Sequence, residues 1–144
     1  MVAAREKKVG RFKVEFEVAN NDDLAAVRRG NLAADKVRRV KIHGVVDSGA
    51  AGVVLPTAVA KQLGIPVTGK VKVTYANGQS SQRDKVEGVY LELMGRHGIF
   101  KAHLEPKRDT ALIGAIVLEE LDFLIDARKE RLYPRDPEIE TSEA

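Results

Sequence analysis

A small, mainly-β, closed-barrel-like domain with two short helices is the architecture this sequence predicts. Three observations lead there. Apolar and polar residues alternate along many short stretches, turn signals recur at short spacing, and two brief segments carry helix boundaries. The 144 residues suffice for one buried core and are too few for two ordinary domains.

The elements follow in order. Arg11 to Val18 places Phe12, Val14, Phe16 and Val18 on one face and reads as a half-buried strand. Asn20 to Asp35 is a polar connection in which Leu24 to Arg28 can form a short helical stretch, and Val37 to Val46 is a second strand that runs into Asp47-Ser48-Gly49-Ala50. Pro56 and Gly64 bracket a helix over Thr57 to Leu63, because Pro suits a first helical position and Gly the residue past the end. Val71, Val73 and Tyr75 alternate with Lys70, Lys72 and Thr74 up to Asn77-Gly78, a hairpin signal since both residues tolerate positive φ. Val89, Leu91 and Leu93 form another strand, Gly95 to Gly98 a second turn, and Ile99 to Leu104 its return. Ala111-Leu112-Ile113-Gly114 is a short apolar run, and Ile116 to Leu121 the second helix. Phe123 to Ile125 and Arg131 to Tyr133 are short strands around a charged turn. A single domain therefore spans 1–133. From Pro134 onward the chain is acidic with few apolar residues, the composition of a disordered tail over 134–144.

Composition excludes several function classes. The charge of +3 arises from 24 basic and 21 acidic residues, scattered and without an aromatic platform, which argues against a nucleic-acid partner. The chain has no cysteine, so thiolate chemistry and sulfur-ligated zinc are ruled out, and a reducing cytoplasm is the expected compartment. His43, His97 and His103 lack ligand spacing, so neither metal nor other cofactor is expected. No apolar run reaches the length of a membrane span, and the charged stretch Met1 to Arg11 lacks the apolar centre of a signal peptide.

The chemistry points to Asp47. As a bare tripeptide Asp47-Ser48-Gly49 is a weak signal, since all three residues form turns. Its surroundings oppose a plain surface turn: Ile42 to Val46 before it is apolar, and Ala50 to Leu55 after it is apolar or small. A serine nucleophile at Ser48 would need a histidine base, and none is singled out.

Val45-Val46-Asp47-Ser48-Gly49-Ala50 resembles the active-site motif of retroviral-type (retropepsin-like) aspartic proteases, and Leu112-Ile113-Gly114 resembles that family's second signature. The order also fits: motif, hairpin, apolar-apolar-Gly, helix, final strand. The resemblance covers roughly Phe12 to Tyr133, and the helix after the motif is similar to the cellular and bacterial branch, including the retroviral-like domain of DNA-damage-inducible proteins. It implies an aspartic endopeptidase in which two carboxyls activate a water. With one motif per chain, the second Asp47 comes from a two-fold partner, so a homodimer and a peptide or protein substrate are implied. It further implies that Asp47, Ser48 and Gly49 are catalytic, with Ser48 hydrogen-bonding across the dimer axis and Gly49 giving the substrate access to backbone. Ala50, Tyr75, Ala76, Asn77, Gly78 and Ile113 would contact substrate, and the hairpin from Val73 to Arg83 would be a flap. Three alternatives stay open: the hairpin is an ordinary connection, the domain binds peptides or dimerises without turnover, or it is a small β-barrel whose Asp47 loop is structural.

Overall fold

The computed structural model describes residues 11–143, so the charged stretch before Arg11 and its expected lack of a leader lie outside the described residues. The first strand, β1 (Arg11–Asn20), alternates as its sequence demands, with Phe16 and Val18 buried and Lys13 and Glu15 exposed. It pairs antiparallel with β2 (Arg39–Asp47) in a register that sets Arg11 opposite Asp47 and Phe16 opposite Ile42.

Between them runs a helix, α1 (Asn21–Arg28), and a single 3-10 turn at Ala34–Lys36. The described chain therefore carries three α-helices where the sequence predicts two. The reason is visible in what α1 buries: the only buried residue in it is Asp23, so no apolar stripe announces it. Its signal is instead a cap. The Asn20 side chain accepts from the Asp23 N–H at 3.0 Å, with Asp22 and Asp23 in the first turn where the helix dipole favours anions.

After β2 come β3 (Val53–Pro56), α2 (Thr57–Leu63) and β4 (Val67–Thr74). Pro56 stands at the N-cap of α2, one residue before its expected place, and Gly64 closes the helix with a φ of 68°. Next, β5 (Ser80–Leu93) and β6 (Arg96–Glu105) meet at a two-residue turn of Met94 and Gly95, both at positive φ. That turn lies just ahead of the Gly95–Gly98 stretch read from sequence, because Met94 accepts a left-handed conformation that its residue type does not advertise. The chain ends with β7 (Ala111–Ile113), α3 (Ala115–Glu120) and a separate hairpin of β8 (Phe123–Asp126) and β9 (Arg131–Pro134).

The main sheet runs β1-β2-β7-β3-β6-β5-β4, and β1 also pairs with β5. The six strands from β1 to β5 thus close into a barrel, with β4 left outside on β5 alone. Closure removes the free edges that an open sheet presents. The core fills with Val18, Leu55, Leu63, Leu91, Leu93, Ile113 and Leu121, none more than 1% exposed. The barrel is thus sealed on α2 and α3 through Leu63, Val117 and Leu118. No described helix is long and apolar enough to cross a membrane.

Residues 135–143, within the stretch where sequence favours a disordered tail, take no helix or strand. Three contacts reach back from them to buried Asp122: Thr141 N–H donates to Oδ2 at 2.9 Å, Arg135 Nη2 lies 2.8 Å from Oδ1, and Arg135 N–H donates to the Asp122 carbonyl at 3.1 Å.

Asp23 is held by a single arginine. Arg38 reaches it three times, by its backbone N–H at 3.0 Å and by Nε and Nη2 at 2.8 and 2.9 Å. Those side-chain bonds outweigh burial and lower the carboxyl to about 2. A carboxyl depressed in the folded state stabilises it above its unfolded pKa, near 4, and loses that contribution as pH falls toward 2. The acid limb of unfolding between about pH 4 and 2 should therefore flatten in Asp23→Asn, which should also be less stable at neutral pH. Urea midpoints measured across that window check this; parallel curves for the two proteins would refute it.

Candidate active site

Strand β2 delivers Asp47 to the rim of the barrel, and β3 begins six residues later at Val53. These two strands are not neighbours. β7 lies between them, parallel to β2 with Val46 opposite Ile113 and antiparallel to β3 with Val53 opposite Ile113. The loop 47–52 therefore has to bridge the end of β7, where Gly114 leaves the sheet.

Backbone hydrogen bonds fix that bridge. Ala50 N–H donates to the Asp47 carbonyl at 3.1 Å, and α3 clamps the loop from below through Ala115 N–H to the Ala50 carbonyl at 2.8 Å and Ile116 N–H to the Ala51 carbonyl at 2.9 Å. So close an approach leaves no room for a side chain. A Cβ on Gly114 would fall 2.7 Å from the Ala50 carbonyl oxygen and 2.8 Å from the Ala51 carbonyl carbon. Its φ of −93° is ordinary, so space rather than conformation requires glycine here.

The Asp47 side chain is 20% exposed, and its Oδ1 accepts the Gly49 N–H at 3.0 Å. This turns one oxygen toward the loop backbone. The other, Oδ2, lies 3.2 Å from Arg11 Nε. That nitrogen is shielded from solvent and makes no aligned hydrogen bond, so the contact is one of charge. Among the described residues no second carboxyl pairs with Asp47, and no group of three or more His, Asp or Glu is placed to hold a metal ion.

Asp47, Ser48, Gly49 and Ala50 stand together in this loop, with Ser48 and Gly49 exposed and Ala50 half-buried. Ile113, expected to touch substrate, has no exposed surface and belongs to the core beneath the loop; it supports the site from inside because β7 is the central strand of the crossing. Tyr75, Ala76, Asn77 and Gly78 lie apart from the loop in sequence, at the tip of the β4–β5 hairpin. Gly78 N–H donates to the Tyr75 carbonyl at 2.9 Å, and Gly78 has a φ of 85°. No residue from Val67 to Lys85 is buried, so this ribbon carries no core of its own.

The Tyr75 hydroxyl donates to Glu105 Oε2 at 2.7 Å, and Arg83 Nε donates to Glu105 Oε1 at the same distance. Burial pushes the Glu105 carboxyl up, but the hydrogen bonds from Tyr75 and Arg83 outweigh it and hold it below the usual carboxylate range. His103 Nε2 lies 3.4 Å from Oε2, and burial lowers that imidazole despite the carboxylate beside it. Sequence reasoning missed Arg11, Arg83 and Glu105. No local motif marks them; only the register of β1 on β2, and of β5 on β6, brings them to their partners.

A strand-delivered aspartate in a glycine-containing loop, clamped over a threaded strand in a six-stranded barrel, defines the acid-protease class of fold. The family model described as aspartyl protease matches residues 35–115, more than half the chain, and the chain belongs to that family. Among solved structures it is similar to a retropepsin-like aspartic protease from Rickettsia conorii, at 23% identity and a TM-score of 0.51, covering 88% of this chain and 91% of that one. At that identity the likeness bears on the fold, which is retropepsin-like. Comparison with curated proteins finds no match.

Gly114→Ala should destabilise the protein by about 1–3 kcal/mol, since backbone on both sides must move to admit the methyl group. Urea denaturation measures this, and an unchanged midpoint would contradict the close approach at Ala50 and Ala51.

Proposed function

We propose that the chain is an aspartic endopeptidase acting as a two-fold homodimer, with Asp47 of each subunit supplying one carboxyl of the catalytic pair. The observation that carries this reading is the loop of a family member in which Asp47 is partly exposed and anchored through Gly49. One chain has one such loop, so a pair requires a second copy.

Two carboxyls held close share a single proton, because ionising both costs too much. The ionised one takes a proton from a water lying between them as the water oxygen bonds to the scissile carbonyl carbon. The protonated one donates to the carbonyl oxygen. The resulting diol then releases the amine as its nitrogen gains a proton and the C–N bond breaks. In this reading Ser48 holds the two loops in register, and Gly49 and Ala50 let an extended peptide approach. The hairpin tip, Tyr75 to Gly78, closes over the peptide and limits water access. The lack of cysteine fits a reducing compartment such as the cytoplasm.

The Arg11 contact favours a second reading, a peptide-binding or dimerisation module without turnover. A guanidinium 3.2 Å from Oδ2 occupies a side of the carboxyl that a shared proton needs.

The two readings separate on Asp47→Asn. Under the first, cleavage of a peptide library is lost while the unfolding free energy shifts by no more than about 1 kcal/mol, the side chain lying at the rim. Equal cleavage by variant and parent would end the enzyme reading, and a parent that binds peptides yet cleaves none would support the module. Specific activity should also fall on dilution below the dimer dissociation constant; a sedimenting monomer with full activity would exclude a shared pair.

A further inference from the structure

The β4–β5 hairpin poses a physical problem. It extends from the barrel through β5 alone, and none of its side chains from Val67 to Lys85 is buried, so apolar packing cannot fix where its tip rests. Most of its side-chain hydrogen bonds stay within the ribbon: Lys70 to Asp84, Thr68 to the Lys85 carbonyl, Asn77 to Gln79. Among the described residues, two leave it, from Tyr75 and Arg83, and both end on Glu105.

We propose that Glu105 is a flap-positioning residue: standing on the barrel at the end of β6, it latches the Tyr75 hydroxyl and the Arg83 guanidinium and so sets the resting position of the hairpin tip over the substrate groove. The inference rests on the flap role given to this hairpin under the protease reading, and it adds the residue that holds the flap.

The geometry is that of a built clamp. Glu105 is mostly shielded, its side chain 13% exposed, and each of its oxygens takes one donor at 2.7 Å from a different part of the hairpin, the tip and the returning strand. Tyr75 is the last residue before the turn, so its hydroxyl anchors the tip itself, whereas Arg83 anchors the returning strand. The Arg83 guanidinium also stands 6.0 Å over the Tyr75 ring, tying the two donors to each other. Glu105 in turn sits in register with Pro56 at the end of β3, the strand that leaves the Asp47 loop. The carboxylate therefore links the flap to the frame that carries the catalytic aspartate. It touches no reacting atom in this arrangement; it acts through Tyr75.

The chain contains no tryptophan, so Gln79→Trp places a single indole beside the tip and reports its mobility independently of catalysis. In this background, Glu105→Ala and Tyr75→Phe should each lower the fluorescence anisotropy of the ligand-free protein, and the double variant should add little to Glu105→Ala, since both remove one contact. With peptide substrate, Glu105→Ala should raise KM about tenfold, the loss expected for a charge-assisted hydrogen bond, with kcat within about twofold. Unchanged anisotropy in both single variants overturns the latch, and so does lowered anisotropy with an unaltered KM in a protein that cleaves peptide. If no form cleaves any peptide, the protease reading fails while the anisotropy still decides the latch. Should Glu105→Ala not fold, Tyr75→Phe, which removes only the hydroxyl, carries the same test.

Discussion

The threading of β7 between β2 and β3 is the constraint on which the rest of this structure depends. A loop that joins two strands on either side of a third must cross the end of that third strand, and the crossing here puts the backbone of 50–52 against Gly114. From that one approach follow the glycine at 114, the clamp from the first turn of α3, and the placing of Asp47 at a barrel rim rather than in a mobile turn. The fully buried Ile113 has the same origin. It pairs with Val46 on one side and Val53 on the other, so the backbone of one residue spaces the two strands that frame the loop while its side chain goes into the core.

Around this rigid crossing the charges are divided between two places. At the loop, Asp47 spends one oxygen on the Gly49 amide and turns the other to Arg11. At the end of β6, Glu105 collects the donors of a ribbon that has no core. The first arrangement sits on strands whose positions the barrel dictates. The second has to supply by hydrogen bonding what packing does not, which is why its bonds are short and charge-assisted.

The legible part of the fold was the part governed by local rules. Period-two alternation in Phe12 to Val18 and in Val89 to Leu93, the Asn77-Gly78 turn, and Gly64 after α2 each encode their element within a few residues. Helix α1 was only half legible because it buries a hydrogen-bonded aspartate rather than an apolar stripe. Asp47 stands out in the sequence through its apolar flanks, and Gly114 through the apolar pair before it. Arg11 and Glu105 do not, because each owes its place to strand register across 36 residues in the one case and 22 to 30 in the other. Register is settled by which faces are buried over the whole barrel, and no window of neighbouring residues contains that information. Ile113 shows the converse: its resemblance to a signature was sound, but the signature marks the strand that supports the site, not its surface.

The crossing also imposes an order in time. Asp47 is synthesised before its support: the strand that must lie between β2 and β3 comes more than sixty residues later, at Ala111–Ile113, and the amides that hold the loop belong to Ala115 and Ile116. Pairings of such long sequence separation form slowly, since the intervening chain must first be closed into a loop. A chain cut off before Ala111 keeps its aspartate and its glycine-containing turn but has neither spacer nor clamp beneath them. On a chain that emerges from its N-terminus, the carboxylate therefore waits as an unorganised side chain until nearly the whole barrel has been made.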